Sequence, residues 1–384
     1  MAILIPPHGG KVVQRLLDNE TEISKIISTP NLPRVEIPDT VLVEVENIAF
    51  GCFSPLEGFP VEKEFLSILT KWQLINGTTF PIPPIFPIDE QTKITILGHA
   101  RIILTHQNTP VGFIDVEEIF PFDKSFFMQS IFGTTNPIHP GVRHIASTGS
   151  YLVAGKISLF KKKAKFFPED GNVLTPLAAR ELFSKQGWKM ITAFSTTNVP
   201  HRAHEYLQRY ALEMTDGLFI HALQIVGKNS HDAKYPPEVI LSSYQQLIRK
   251  YYPAGKVLFS FLPMLVRSAG PRSSVLQAII RQNFGCSHQI FGRDHEGCAD
   301  FYGKYESQQI FSRFQDLKIV PLCIKEPFYC TKCEQITTEN SCGHTTRIEI
   351  SGTDIRRKLA AHEKVDDFMI RPEVREILEK EGEE

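Results

Sequence analysis

Residues 189–207 read KMITAFSTTNVPHRAHEYL. Residues 190–194 form a short apolar run, polar residues follow it, and a helical pattern starts at Pro200. This order predicts a β-strand, a polar turn and the N-terminus of a helix. The same alternation continues from residue 175 to residue 323. It predicts an α/β fold in which helices cover both faces of a parallel sheet and ligands bind outside the carboxyl ends of the strands.

The elements of this alternating region are bounded by Pro, Gly and polar residues. The predicted helices cover residues 176–185, 200–214, 237–252, 273–283 and 305–314. The predicted strands cover residues 190–194, 217–223, 256–261, 288–291 and 318–323.

The turn before the helix at Pro200 is a candidate anion site. The first N–H groups of a helix have no intrahelical partner, and the helix dipole adds partial positive charge there. Pro200 suits the first turn, and Asn198 is the expected N-cap. His201 and His204 are three residues apart, so both rings are expected on one face, within reach of one ligand. From the residues alone, phosphate binding, a surface histidine pair and half of a metal site all stay open.

Composition and charge restrict the class of protein. With 384 residues, 42% hydrophobic and 22% charged, the chain is long enough for two or three domains with cores of their own. The formal net charge of -1 provides no global field for nucleic acid or an acidic membrane. No secretory signal pattern and no apolar run of membrane-spanning length is visible. A cytoplasmic protein without nucleic-acid or membrane partners is expected.

The part of the chain before the alternating region has a different pattern. Short β-type runs separated by Pro and Gly occur at residues 34–37, 40–45, 93–97, 101–105 and 111–116, and a helical pattern at 61–74. They predict a largely β domain, which ends at the charged run 161–165. The predicted domains are residues 1–165, residues 166–325 and a small C-terminal unit, residues 326–384, which docks on the second.

One cluster of cysteines has metal-ligand spacing. The pattern is Cys330-x2-Cys333-x8-Cys342-x-His344, and the odd total of seven cysteines argues against a disulfide framework. Four such ligands close a structural zinc site and leave no open position for catalysis. Since Cys342 and His344 are separated by one residue, the geometry is tight, and a reduced, metal-free loop is the alternative.

Two further motifs carry polar groups at the ends of predicted elements. GRDHEG, residues 292–297, follows a predicted strand and offers Arg293, Asp294 and His295. Charged groups of this kind are costly to bury unless they are paired or bind a charged ligand, so the motif is a candidate binding site. The alternative is that Arg293 and Asp294 pair with each other and only stabilise a turn. ISGTDIRRKL, residues 350–359, places Ser351 and Thr353 at a helix start, again an anion geometry.

The combination and order of these motifs resembles the ATP sulfurylase, or sulfate adenylyltransferase, family over nearly the whole chain. The matching segments are PHGG at Pro7, FSPLEGF at Phe53, NPIHPGV at Asn136, NVPHRAHEYLQR at Asn198, AGPR at Ala269, GRDH at Gly292, DFYGKY at Asp300 and ISGTDIR at Ile350. No kinase domain follows, so the chain looks like the stand-alone form of the family.

The resemblance implies an N-terminal PUA-like β-rich domain, a Rossmann-like nucleotidyltransferase domain and a small C-terminal α/β domain. The family transfers AMP from MgATP to sulfate and releases pyrophosphate, so Mg²⁺ with ATP and a structural Zn²⁺ are the expected cofactors. By motif position, the catalytic residues would be His201, His204 and Arg293. The ATP-binding residues would be Asn198, His201, His204, Gly292, Arg293, Asp294, His295, Ser351 and Thr353.

The acceptor half of the site departs from the family pattern. The family's turn reads Gln-Thr-Arg-Asn and its Gln and Arg bind sulfate, whereas this chain has Ser195 and Thr197 there. The Ala of the family's GRDHAG is Glu296 here. Loss of the guanidinium should cost at least a few kcal/mol in sulfate binding, and Glu296 would repel a dianion further unless it points away or is paired.

Three outcomes are open for the acceptor. Sulfate is retained through other cations, with Arg267 or Arg272 as candidates; or the acceptor is a sulfonate, a phosphonate or an amino-bearing acid; or the protein is a catalytically silent nucleotide-binding homologue. The second is favoured, with Ser195, Thr197, Glu296 and Arg267 as the acceptor-binding residues. ATP and a small acidic acceptor are then the expected partners, and a homo-oligomer is left open.

Overall fold

The computed structural model describes residues 3–227, 235–293 and 301–381. The first part of the chain forms β1 (Leu16–Leu17), α1 (Glu20–Ile27), β2 (Arg34–Glu36), α2 (Asp39–Ala49), β3 (Gly58–Phe59), α3 (Glu62–Lys71), β4 (Pro87–Ile88), α4 (Glu90–Ile96), β5 (Arg101–His106), β6 (Thr109–Pro121), α5 (Lys124–Phe132), α6 (Pro140–Ala146) and β7 (Tyr151–Phe160). Its sheet has the order β1-β7-β6-β5-β2, and β3 and β4 also pair with β7. The predicted β-rich domain is therefore present.

Two of the predicted strands in this part are wrong, because residues 40–45 lie in α2 and residues 93–97 lie mostly in α4. The whole segment from Val41 to Ala49 is buried, its polar residues Glu44, Glu46 and Asn47 included, so no exposed polar side reveals the helical period. In α4 the side chain of Asp89 accepts a hydrogen bond from the Thr92 N–H and caps the helix. Burial on all sides and a helix cap outweighed the β-branched residues in these segments.

The second part of the chain is the predicted parallel α/β unit. Its elements are α7 (Pro176–Lys185), β8 (Ile191–Thr196), α8 (Arg202–Leu212), β9 (Gly217–Ile225), α9 (Pro237–Tyr251), β10 (Val257–Met264), α10 (Pro271–Phe284), β11 (His288–Phe291), α11 (Glu306–Gln309) and β12 (Val320–Cys323). The strand order is β10-β9-β8-β11-β12, and every pair is parallel. The order reverses between β8 and β11, and ligands bind at such switch points.

Helix α10 joins the first two parts of the molecule. All of its residues from Pro271 to Phe284 are buried. At one end the Arg272 guanidinium donates to the Pro81 carbonyl at 2.6 Å, and at the other the Asn283 amide donates to the Cys52 carbonyl at 3.0 Å. These side chains satisfy backbone carbonyls of the N-terminal part, so that polar groups at a buried boundary keep their hydrogen bonds.

The C-terminal part contains β13 (Phe328–Cys330), β14 (Gln335–Thr337), β15 (Arg347–Glu349), α12 (Gly352–Ala360) and α13 (Pro372–Glu381). Its antiparallel sheet has the order β14-β13-β15. It docks on the start of α8, where the Arg202 N–H donates to the Met369 carbonyl at 2.9 Å and Arg371 pairs with Glu205 at 2.5 Å. Among the helices of the described ranges, none is both long and apolar enough to cross a membrane.

Candidate functional site

The two polar sequences that follow β8 and β11 emerge side by side at the switch point. The register pairs Thr192 of β8 with His288 of β11, so the carboxyl ends of the two strands lie at the same edge of the sheet. Ser195 lies near the end of β8, with Thr197 and Asn198 in the turn beyond it. The described residues that follow β11 directly are Gly292 and Arg293. Adjacent parallel strands thus bring together groups that are nearly a hundred residues apart in sequence.

The turn after β8 differs in one detail from the prediction, because His201 and not Asn198 is the N-cap of α8. The Nδ1 atom of His201 accepts from the His204 N–H at 3.4 Å, and the helix begins at Arg202. Asn198 instead donates its N–H to Thr196 Oγ1 at 3.0 Å, which closes a tight turn. An unprotonated imidazole nitrogen is an acceptor and can cap a helix as a carboxylate or hydroxyl does.

The rings of His201 and His204 are brought together. They stack with their centroids 3.6 Å apart and their planes inclined by 22°. Burial, and then repulsion from His204, holds the pKa of His201 well below its usual value. Burial likewise lowers the pKa of His204 to about 4. Both rings are therefore neutral near pH 7, and each has one N–H donor rather than a full positive charge; that of His204 bonds to the Val199 backbone.

A second helix start meets the turn at Asn198. Arg356 of α12 donates from Nη1 to Asn198 Oδ1 at 3.4 Å and from Nη2 to Thr353 Oγ1 at 3.0 Å. At Gly352 a Cβ would lie 3.5 Å from Asn198 Oδ1, which shows how close the two segments are. The Ser351 hydroxyl accepts from the Asp354 N–H at 3.1 Å and caps α12.

Arg356 is a candidate site residue that the sequence reasoning did not select. It lies in the quoted motif ISGTDIR, three positions after Thr353 and so on the same side of a helix. This spacing could have selected Arg356 from the sequence. The partner, Asn198, is 158 residues away, and only the tertiary structure shows it.

Arg293 is directed toward the C-terminal part of the chain. Its Nη1 atom lies 2.7 Å from Glu326 Oε2. The two side chains line a charged cleft of about 240 Å³ together with Lys304 and Arg347. Asp294, His295 and Glu296 were also predicted to belong to the site, and they lie outside the described residues.

Ser195, which was predicted to bind the acceptor, contacts a buried guanidinium that the sequence reasoning missed. Arg281 of α10 has no exposed surface. Its Nη2 atom donates to Ser195 Oγ at 3.0 Å and to the His221 carbonyl at 3.4 Å, and its Nη1 atom donates to Gln277. The sequence contained one indication of this role, since Arg281 is the single charged residue of the run VLQAIIRQNF. A charge buried in such a run requires polar partners.

The two arginines that were predicted to replace the missing cation contact the N-terminal part of the chain. Arg267 forms a buried ion pair with Glu44 and donates to the Leu265 carbonyl at 3.1 Å. Arg272 stacks on Trp72, with the guanidinium carbon 4.2 Å from the ring centroid, in addition to its carbonyl contacts. Both guanidinium groups are thus held in structural contacts, whereas Arg281 is the one bonded to Ser195.

The Cys/His cluster has the geometry of a four-ligand metal site. The ligand atoms of Cys330, Cys333, Cys342 and His344 all lie within 4.8 Å of one another. Cys333 Sγ lies 3.8 Å from Cys342 Sγ and 3.2 Å from His344 Nδ1. Tetrahedral zinc with thiolate and imidazole ligands requires separations of about 3.8 Å between sulfurs and about 3.5 Å between sulfur and nitrogen. The donor set and its spacing therefore fit Zn²⁺.

Comparison with known proteins agrees with this architecture. The model of the ATP-sulfurylase family matches residues 170–381, and the model of a PUA-like domain matches residues 5–162. Proteins named sulfate adenylyltransferase from Ignicoccus hospitalis and Thermococcus onnurineus are 39% and 40% identical, each over 97% of this chain and 97% of its own length. The chain belongs to the ATP-sulfurylase family. Its enzyme class is therefore that of the adenylyltransferases, as predicted.

A solved structure extends the agreement to the whole fold. The structure described as the hexameric APS kinase from Thiobacillus denitrificans aligns with a TM-score of 0.76, over 98% of this chain and 68% of that one. At 20% identity this likeness supports the fold alone. Together with the two family models it confirms the PUA-like domain, the nucleotidyltransferase domain and the mixed α/β class.

Proposed function

We propose that this protein transfers AMP from MgATP to a small acid that carries a single negative charge at its reacting group, and releases pyrophosphate. Family membership supports the adenylyl transfer. The acceptor class is inferred from Ser195, because its hydroxyl takes a hydrogen bond from the buried Arg281 where the family has a glutamine. Ser195 and Thr197 replace both sulfate-binding side chains, which makes sulfate itself a poor substrate.

The nucleotide half of the proposed site consists of the turn before α8 and the start of α12. The neutral ring of His201 supplies an N–H donor to phosphate oxygens, the His204 ring stacks on it, and Arg356 adds a positive charge beside Asn198. Mg²⁺ would enter with ATP and neutralise charge on its phosphates. The chain's own contribution is to position the α-phosphate and to stabilise the charge that develops as pyrophosphate leaves.

The reaction requires no proton transfer from the protein. An acceptor oxyanion attacks the α-phosphorus in line, the new P–O bond forms, and the bond to pyrophosphate breaks with its electron pair. Ser195 Oγ already accepts from Arg281, so its own O–H is directed to another acceptor. One hydroxyl polarised by a buried cation suits a carboxylate, a sulfonate or a phosphonate monoanion better than a dianion.

The sequence adds one selective group to this acceptor site. Glu296 stands where the family has alanine, and a carboxylate there favours an acceptor with an amine or a guanidinium beside its oxyanion. The same carboxylate repels sulfate. An amino-bearing acid is therefore the acceptor that all three replacements, Ser195, Thr197 and Glu296, select together.

Pyrophosphate release tests the proposal. The full-length protein with MgATP is assayed against sulfate, selenate, sulfonates, phosphonates and amino acids, and ATP binding is measured separately by calorimetry. We expect release with at least one amino-bearing acid, sulfonate or phosphonate to exceed release with sulfate. Highest turnover with sulfate would contradict the acceptor class. ATP binding without release for any acceptor would indicate the catalytically silent homologue.

Reversion of the altered residues tests the explanation at the level of side chains. The triple variant Ser195→Gln, Thr197→Arg and Glu296→Ala should gain at least tenfold in sulfate-dependent kcat/KM, since a charged fork is regained and a carboxylate removed. The same triple with Thr197→Met, which has no charge, is the matched control and should gain less, since it removes the carboxylate but regains no charged fork. If the arginine-containing variant stays inert with sulfate, the account of the pocket is wrong.

The Cys/His cluster is proposed to hold a structural Zn²⁺. All four ligand positions are occupied by protein side chains, so the ion would have no open position for substrate. The Cys333 N–H also points at Cys330 Sγ, 3.4 Å away, and would support a thiolate there. The ion would tie β13 to the segment before β15 and so support the domain that carries Arg356.

A further inference from the structure

A cavity of about 590 Å³ lies between the N-terminal part of the chain and the end of β10. Helices α2, α5 and α6 supply nearly half of its lining residues, and residues 265–267, which follow β10, line it as well. Of the candidate site residues named above, only Arg267 lines it. The cavity is thus a feature separate from the turn after β8, and its volume is sufficient for a small organic molecule.

The walls of this cavity are mainly apolar. Ile85, Phe127, Ile131, Phe132 and Leu265 all line it. The Phe132 ring lies close against α6, since a Cβ at Gly141 would come within 2.6 Å of it. Such packing leaves a formed apolar wall that an organic ligand body can contact without rearrangement.

One polar atom in the cavity lacks the partner that burial demands. Glu44 is only 2% exposed and lines the cavity. Its Oε2 atom pairs with Arg267, whereas Oε1 has no hydrogen-bond partner among the described residues. Burial raises the pKa of Glu44, and the Arg267 charge opposes this rise. A further donor to Oε1 would compensate the buried carboxylate.

The other charged groups at the cavity determine which ligand charge is favourable. Asp39 also lines the cavity, and its carboxylate pairs with Lys165 at 2.6 Å and with His106 at 3.1 Å. His144 also lines the cavity. Because the Arg267 and Lys165 charges are already paired with Glu44 and Asp39, an anion gains little here, whereas the oxygen Glu44 Oε1 favours a donor.

We propose that this cavity is a binding site for a small molecule with an apolar body and one N–H or O–H donor, which bonds to Glu44 Oε1 while the body packs on Phe127 and Phe132. An alcohol and an amine share this chemistry. A carboxylate of the same shape does not. The ligand of this site is distinct from ATP and from the acid acceptor, so the inference is independent of the proposed acceptor class.

The binding test uses the full-length protein and three probes of matched shape, 2-phenylethanol, 2-phenylethylamine and phenylacetate, in calorimetry and ligand-observed NMR. We expect saturable binding with one site per chain for the alcohol, the amine or both, and at least tenfold weaker binding of phenylacetate. No binding of the alcohol or the amine up to millimolar concentration, or equal binding of phenylacetate, would overturn the proposal. A crystal soak that shows water alone on Glu44 Oε1 would do the same.

Variants place the site on the molecule. Ile131→Trp fills the cavity from α5 and should abolish binding. If that variant does not fold, Thr40→Trp fills the cavity from α2 and serves the same purpose. Leu66→Trp, at an exposed position of α3, is the control and should bind as the wild type does. Glu44→Gln should turn its amide NH₂ toward the cavity, because Arg267 requires the oxygen; the preference among the probes should then shift at least tenfold toward phenylacetate. Binding that no cavity variant changes would contradict the assignment.

Discussion

Replacement of Glu205 tests how the C-terminal part is held against α8. Glu205 is 3% exposed, and its carboxylate accepts from Arg371 at 2.5 and 2.9 Å and from Arg209 at 2.9 Å. Glu205→Gln keeps the shape and removes the charge. Burial alone would raise the pKa of Glu205, but Arg371 and its neighbours lower it overall, so the ionised form is the stabilising one.

The expected loss of stability in Glu205→Gln follows from the solvent exposure of its partners, Arg371 and Arg209. Removal of one partner from a fully buried ion pair costs about 3–5 kcal/mol. Arg371 and Arg209 retain 21% and 45% of their side-chain exposure, so water can solvate them once Glu205 is neutral. The cost is therefore closer to that of the lost charged hydrogen bonds, about 2–3 kcal/mol.

Amide hydrogen exchange measures this loss locally. In the Glu205→Gln variant the amides of α13 should exchange roughly 30- to 150-fold faster, which corresponds to about 2–3 kcal/mol less free energy for opening. Glu213→Gln, at the exposed end of α8, is the matched control and should leave exchange unchanged. Exchange in the Glu205→Gln variant within threefold of the wild type would refute the view that this pair holds the domain. Adding Arg371→Met to the variant should cost less than the two single changes summed.

Three further outcomes are expected. Elemental analysis should find about one zinc per chain, and Cys330→Ser should lose it. Cys323→Ser is the control and should keep the zinc, because Cys323 is exposed and lies outside the cluster. Metal-free protein of unchanged stability would count against the site. Arg356→Ala should weaken ATP binding roughly tenfold or more, while Arg357→Ala, at the exposed next position, should not; equal effects in calorimetry would remove Arg356 from the site. His204 has a pKa of about 4 in the folded protein, whereas in the unfolded chain it takes up a proton near pH 6.5. The free energy of unfolding should therefore fall as the pH drops from 6.5 to 4. Urea titrations should show a smaller fall for His204→Gln.

Regular elements with clear boundaries were predictable from the sequence. The structure places β11 at His288–Phe291 and α7 at Pro176–Lys185, as predicted, because Thr175 and Pro176 begin the helix and Gly292 follows the strand. The helix α2 was not predictable, since its residues from Val41 to Ala49 are all buried, Glu44 and Glu46 included. Without an exposed polar face the segment shows no helical period, and its conformation is decided by packing against the rest of the domain.

The local chemistry of the site was also predictable, but its long-range pairs were not. The His201 and His204 rings meet because they lie one helical turn apart, which the spacing indicated. Arg281 bonds to Ser195 across 86 residues, and Arg356 to Asn198 across 158. The spacing of Arg267 or Arg272 from the site in sequence gives no indication that both contact the N-terminal part.

The sequence by itself determined the parallel α/β fold, the order of strand, turn and helix at the candidate phosphate site and the metal-ligand spacing, because each follows from residues within one or two elements. Only the tertiary structure decided which arginine lies behind Ser195, which helix start meets Asn198 and where a cavity remains with a Glu44 oxygen that no described residue bonds. These depend on how separate helices pack against one sheet. That packing is set by the shapes and burial of many residues together, and no short segment of the chain contains it.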